Sequence, residues 1–180
     1  THLDVLAAAD FFAVEVPTLH GLVRHLVFFV IDLARRRVHI AGIAIDPDGA
    51  WVTQVARNLT DPGEGFLHGK RFLIHDRDPL YTQPFDTVLK AAGIESVRLP
   101  PRSPNLNAFA ERFVKSTRAE CLDHLILWGE GSLRRAVEAY VTHYNAERTH
   151  QGLDNQLLTA PALPPPASGP VRSRDRLGGL

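Results

Sequence analysis

Leu3–Val16, reading LDVLAAADFFAVEV, is a run of Leu, Val, Ala and Phe with Asp10 at its centre. Its composition is that of a β-strand, and Pro17 is placed to end it. Two more such runs follow, Leu22–Asp32 and Arg37–Ile45, separated by the basic turn Ala34-Arg35-Arg36. Three successive strands with short connections predict an antiparallel meander.

The pattern then changes. After the turn Pro47-Asp48-Gly49, the residues Trp51, Val52, Val55, Ala56 and Leu59 make one apolar stripe at helical spacing. Arg71–Asp76 is a short strand. A helix is predicted from about Pro84 to Ala92, with Phe85, Val88, Leu89 and Ala92 on one face and Gly93 placed to end it in the left-handed conformation. Ile94–Leu99 is a fifth strand, and strands that alternate with helices are expected to add in parallel. Ser103-Pro104 caps a helix running to about Cys121, with Leu106, Phe109, Ala110, Phe113 and Thr117 as its buried stripe. Ser132 is the expected cap of a last helix carrying Leu133, Val137, Tyr140, Val141 and Tyr144.

The order β-β-β-α-β-α-β-α-α predicts an α/β fold. Its five-stranded mixed sheet has three antiparallel strands, then two parallel ones, with helices on both faces: an RNase H-like layout. With 180 residues the chain fits one domain. Residues 1–159 read as that domain, and 160–180, with Pro161, Pro164, Pro165, Pro166 and Pro170 beside Arg172, Arg174 and Arg176, as a disordered tail.

Lys plus Arg and Asp plus Glu number 20 each, so charge alone points to no polyanionic partner. A nuclease core is one case in which active-site acids offset basic contact residues. The single cysteine, Cys121, excludes an internal disulfide and a Cys-rich zinc site and suggests a reducing, cytoplasmic setting. None of the nine histidines makes an HxH or HxxxH pair, and they read as surface or packing residues. The apolar run Leu26–Ile31 is too short to cross a membrane. With no methionine in the chain, Thr1 is not expected to be the encoded start, and the chain is expected to be a piece of something longer.

Three acids occupy costly positions: Asp10 inside an apolar strand, Asp76 at the end of Phe72-Leu73-Ile74-His75, and Glu111 early on a helix between Ala110 and Phe113. Each alone has an ordinary reading, as a hydrogen-bonded strand residue, a turn cap and a solvated helix residue. Together they suggest acids held by a shared divalent cation, because a buried unpaired carboxylate costs several kcal/mol and Mg²⁺ takes oxygen ligands. Asp78 rivals Asp76 by strand parity, and Asp32 is a weaker rival of Asp10. On the helix, Asn107, Glu111, Lys115 and Arg118 recur at steps of four, four and three and share one face. That face is either a solvated stripe with a Glu–Lys pair or a cation-binding Glu111 flanked by contacts to a DNA backbone.

At these residues the sequence resembles the integrase core of bacterial insertion-sequence transposases and retroviral integrases. The matching segments are Ala9-Asp10-Phe11-Phe12, then His75-Asp76-Arg77-Asp78 with Tyr81-Thr82, then Ser103-Pro104-Asn105 with Asn107–Phe113, and finally His143-Tyr144-Asn145 with Arg148, His150 and Leu153. Thr149 stands where the family usually has proline, and Asp78 where glycine is common. The resemblance covers roughly residues 1–155. It implies Asp10, Asp76 and Glu111 as the DDE triad, with 34 residues between the last two. It also implies in-line attack on a DNA phosphodiester by water and then by the freed 3′-hydroxyl. The cofactor implied is Mg²⁺, with Mn²⁺ able to substitute, as two ions about 4 Å apart. The implied partners are DNA ends, target DNA and further copies of the chain. The setting implied is the bacterial cytoplasm, acting on chromosomal DNA. The alternatives are an RNase H-like nuclease without strand transfer and a non-catalytic DNA-binding remnant.

Overall fold

A computed structural model describes residues 2–100, 108–146, 149–150 and 156–157. After a 3-10 turn at His2–Val5, strands β1 (Leu6–Thr18), β2 (Gly21–Asp32) and β3 (Val38–Ala44) form the predicted meander. β1 pairs antiparallel with β2 from Ala7↔Asp32 to Thr18↔Gly21, and β2 pairs antiparallel with β3 across a bulge at Phe28/Phe29. Contrary to expectation, Pro17 does not end β1, which runs on to Thr18. Among the described residues β1 is paired on its other side only at Leu6–Ala8, so this stretch is an edge, where a missing N–H is tolerated.

Helix α1 (Gly49–Leu59) is capped by Asp48, whose carboxylate accepts from the Trp51 N–H at 2.8 Å. It seats on β3 where Gly42 leaves room. A Cβ there would lie 2.6 Å from the Trp51 ring. β4 (Phe72–His75) adds parallel to β1, α2 (Gln83–Ala91) follows, and β5 (Glu95–Arg98) adds parallel to β4. Gly93 takes the left-handed conformation foreseen for it, at φ 76°. The sheet order is β3-β2-β1-β4-β5, the mixed five-stranded arrangement expected.

Two cores lie on opposite faces of the sheet. Ala8, Phe12, Val14 and Val16 of β1, with Val27, Phe29 and Ile31 of β2, pack against α3 (Ala108–Glu120 within the described residues) and α4 (Gly129–Ala146). Ala7 and Ala9, with Phe28, Val30 and Leu73, pack against α1 and α2. The two-residue alternation of the strands produces this division.

Three details of the helices differ from expectation. Phe109 is 37% exposed rather than buried, and its ring carries the Arg36 guanidinium 3.4 Å from its centroid. Its neighbours on the stripe, Ala110, Phe113 and Thr117, are buried as foreseen. α4 begins at Gly129, so Ser132 acts from within the first turn, accepting from the Trp128 N–H and donating to the Gly129 carbonyl. At its other end, the Asn145 amide accepts from the Val38 N–H at 2.9 Å and donates to the Val38 carbonyl at 2.8 Å. Leu106, the cap at Ser103-Pro104 and the boundary at residue 159 lie outside the described residues. β6 (Thr149–His150) and β7 (Gln156–Leu157) pair as a separate antiparallel ribbon. No described helix is long and apolar enough to cross a membrane.

Candidate active site

The parallel junction of β1 with β4 positions the first two acids. The parallel register runs from Leu6↔Phe72 to Ala8↔Ile74, and Asp76 follows directly on the end of β4. Ala8 and Phe12 flank Asp10 and belong to the core under α3 and α4, so alternation sends Asp10 to that side of the sheet. Glu111 stands exposed on α3.

Asp10 reports on how these groups meet. Its carboxyl is pushed from its ordinary 3.8 up to about 6, first by burial and then by the charges of Asp76, Glu111 and Asp78, in that order. Only the Phe11 N–H, 2.8 Å from Oδ1, pulls the other way among these influences. Asp10 is thus a half-buried acid with three further acids acting on it, all from the segments that the sequence singled out.

Asp78 takes part in a double turn. Its N–H donates to Asp76 Oδ1 at 3.0 Å, and its own Oδ1 accepts from the Leu80 N–H at 2.9 Å. In side-chain turns of this kind an aspartate mimics a backbone turn. Asp32, the other rival, is committed elsewhere. It lies at the end of β2 in an ion pair with the buried Lys70 at 2.8 Å, with Arg35 at 3.1 Å on its second oxygen. Lys70 also donates to the Asp4 carbonyl.

Two neighbours of the acids were not read as site residues from the sequence. His75 is fully buried. Its Nδ1 lies 2.7 Å from the Asp76 carbonyl oxygen and its Nε2 2.7 Å from Ser96 Oγ. A carbonyl only accepts, so Nδ1 carries the proton and Nε2 accepts from Ser96. Burial lowers its pKa, against the opposing pull of the Asp76 carbonyl bond and nearby acids, which favours this neutral form. The backbone that carries Asp76 is thereby tied to β5. Tyr81 packs its ring on His75, with centroids 4.0 Å apart, and on Phe11 at 5.3 Å. The signal in the sequence was their place in the segment His75-Asp76-Arg77-Asp78 with Tyr81-Thr82 that carries the resemblance.

Lys115 and Arg118 are exposed along the same helix as Glu111. Arg118 also bridges to the sheet, donating to the Ala13 carbonyl at 2.7 Å. Asn107 lies outside the described residues. Cys121 is buried and its thiol is pushed up to about 11 by burial, which leaves it no part as a nucleophile.

The donor set suits a hard divalent cation in kind, being carboxylate oxygens alone. The side chains do not close round a point, however. Among the described residues no three His, Cys, Asp or Glu groups are gathered as a metal-holding cluster.

An integrase core domain family model matches residues 92–157. Among solved structures, a chain of the simian T-cell lymphotropic virus intasome, determined in complex with PP2A regulatory subunit B56 gamma, is similar with a TM-score of 0.58 and 18% identity. The match covers 98% of this chain and 64% of that one, so the chain spans under two thirds of that relative's length. The catalytic core domain of BIV integrase is similar with a TM-score of 0.52 and 15% identity, covering 83% of this chain and 88% of that one. The HTLV-2 integrase catalytic core domain, in complex with magnesium and dimeric, gives 0.55 and 11%, covering 86% and 93%. At such identities the likeness is one of fold, and the fold is that of retroviral integrase catalytic cores. No curated protein matches the chain significantly.

Proposed function

We propose that this chain is the catalytic core of a DDE transposase, a Mg²⁺-dependent polynucleotidyl transferase that cuts DNA and joins the freed 3′ end to a target. The observation that carries this reading is the state of Asp10. A carboxylate set in an apolar sheet and repelled by Asp76, Glu111 and Asp78 lowers stability. A divalent cation among those oxygens would reverse the sign of the interaction. The likeness to integrase cores supplies the fold in which such a site is expected.

Asp10, Asp76 and Glu111 are the proposed ligands. When bound, two Mg²⁺ ions (or Mn²⁺ in their place) would supply activation of the attacking oxygen and stabilisation of the leaving one. Asp10, central and half-buried, is suited to be shared, and Asp76 is held in place through the His75–Ser96 tie. Asp76 acts on Asp10 more strongly than Asp78 does, which supports it as the second acid. Lys115, Arg118 and Asn107 are the proposed contacts to the DNA backbone, which position the duplex without reading its sequence. No covalent enzyme intermediate is needed. The proposed partners are the element's DNA ends, target DNA and further copies of the chain, in the bacterial cytoplasm.

The test is a strand-transfer assay with a pre-cut 3′-hydroxyl donor and Mn²⁺ or Mg²⁺. Joined product that disappears in Asp10→Asn, Asp76→Asn and Glu111→Gln is the expected result. Hydrolysis with no joined product would favour an RNase H-like nuclease, and normal joining by the three variants would refute the site.

A further inference from the structure

We propose that the DNA interface of α3 extends through Arg112 to Arg36 on the β2–β3 turn, the two guanidiniums binding backbone phosphates beside Lys115. The inference rests on the reading of Lys115 and Arg118 as contacts to DNA, and it adds two residues to that interface.

Arg36 stands in the β2–β3 turn at φ 59°, in the left-handed region where glycine or asparagine is the ordinary choice. Its guanidinium lies over the Phe109 ring, 3.4 Å from the centroid. Phe109 is 37% exposed, so the stacked pair lies at the surface. Stacking uses the flat face of a guanidinium and leaves the N–H groups round its edge to meet an acceptor. Among the described residues no acceptor is there. Nη1 is buried without a hydrogen-bond partner, and the side chain forms no ion pair.

Arg112, Lys115 and Arg118 follow Phe109 at steps of three. Residues at this step form one ridge along a helix, so Arg36, seated on Phe109, heads a row of three basic side chains. All three are exposed on α3. Among the described residues none of the four pairs with a carboxylate. Glu111 precedes Arg112 in the chain but lies about 100° away round the helix, and Asp32 is committed to Lys70 and Arg35. Burial lowers the Arg36 pKa, Tyr144 opposes this and the like charge of Arg112 adds to it, with no carboxylate among these influences. A guanidinium stays charged even so. A phosphate between Arg36 and Arg112 would supply acceptor oxygens and turn their repulsion into attraction to a shared anion. A row of cations suits a chain of phosphates better than a single anion.

The test measures duplex DNA binding by the full chain over a salt series, by fluorescence anisotropy on two unrelated sequences. Arg36→Asn removes one charge with a residue that tolerates the left-handed backbone, and Arg112→Gln removes one from an exposed helix position. Each is expected to weaken binding to both sequences alike and to reduce the slope of log K against log salt by about 1. Arg57→Gln, on α1 across the sheet, is expected to leave the slope unchanged. If circular dichroism shows Arg36→Asn unfolded, Arg112→Gln decides. An unchanged slope in either folded variant, or an equal reduction in Arg57→Gln, overturns the inference, and a slope still reduced in Lys115→Ala then leaves the DNA reading intact. An unsubstituted chain whose DNA binding shows no salt dependence overturns both.

Discussion

Asn145 holds Val38 by both of its backbone groups, accepting from the N–H and donating to the carbonyl as a neighbouring strand would. A side chain at the end of α4 thus completes the hydrogen bonding of the first residue of β3 and fixes the helix to the sheet. Asn145→Asp keeps the acceptor and loses the donor, leaving the Val38 carbonyl facing a carboxylate. The expected loss is about 1–3 kcal/mol of unfolding free energy in urea. An unchanged midpoint would show that the clip contributes nothing.

Lys70 and Asp32 form a buried ion pair, with side chains 3% and 7% exposed. Removing one partner strands the other, so Asp32→Asn is expected to cost about 3–5 kcal/mol. The Asp32 carboxyl is pushed up by burial but pulled further down by Lys70 and Arg35, to below its ordinary 3.8. A lowered acid contributes stability that is complete above about pH 3.8 and fades as the pH falls below it. Acid unfolding monitored by circular dichroism should therefore begin at higher pH in Asp32→Asn than in the unsubstituted chain.

Asp10 has the opposite sign. Its raised carboxyl destabilises the ionised fold, with the full penalty above about pH 6 and none below its ordinary 3.8. A shift of that size corresponds to about 3 kcal/mol. Asp10→Asn, which keeps the acceptor for the Phe11 N–H, is predicted to melt higher than the unsubstituted chain at pH 8 in EDTA. The difference should shrink towards pH 4. A variant that melts lower at pH 8 would mean that the acid is not strained by its neighbours.

Much of this was legible in the sequence because local pattern decided it. The alternating strands, the stripe of α1 and the turn at Gly93 follow from side-chain period and backbone freedom. What escaped depended on neighbours distant in the chain. Pro17 lies within β1 because β4 covers only the first part of that strand, and no local rule reports the length of a partner. Phe109 is drawn from the buried stripe by Arg36, over seventy positions away. The three acids could be named one by one, but that Asp10 and Asp76 come from neighbouring segments required β1 and β4 to be adjacent. The roles of Lys70, His75 and Tyr81 arise only from what surrounds them once the sheet has formed.

Lys115 is exposed on α3 on the side that carries Glu111. If it meets a phosphate, Lys115→Ala should weaken DNA binding to all sequences alike and reduce the slope of log K against log salt by about 1. Fluorescence anisotropy over a salt series measures both. An unchanged slope would remove Lys115 from the interface.

The most direct test of the whole account is the anomalous scattering of a crystal soaked in Mn²⁺. A peak is expected with oxygens of Asp10 and Asp76 close to the roughly 2.0–2.2 Å typical of a small divalent ion, and Glu111 turned towards it. A crystal that binds Mn²⁺ only elsewhere, or not at all at saturating concentration, would contradict it.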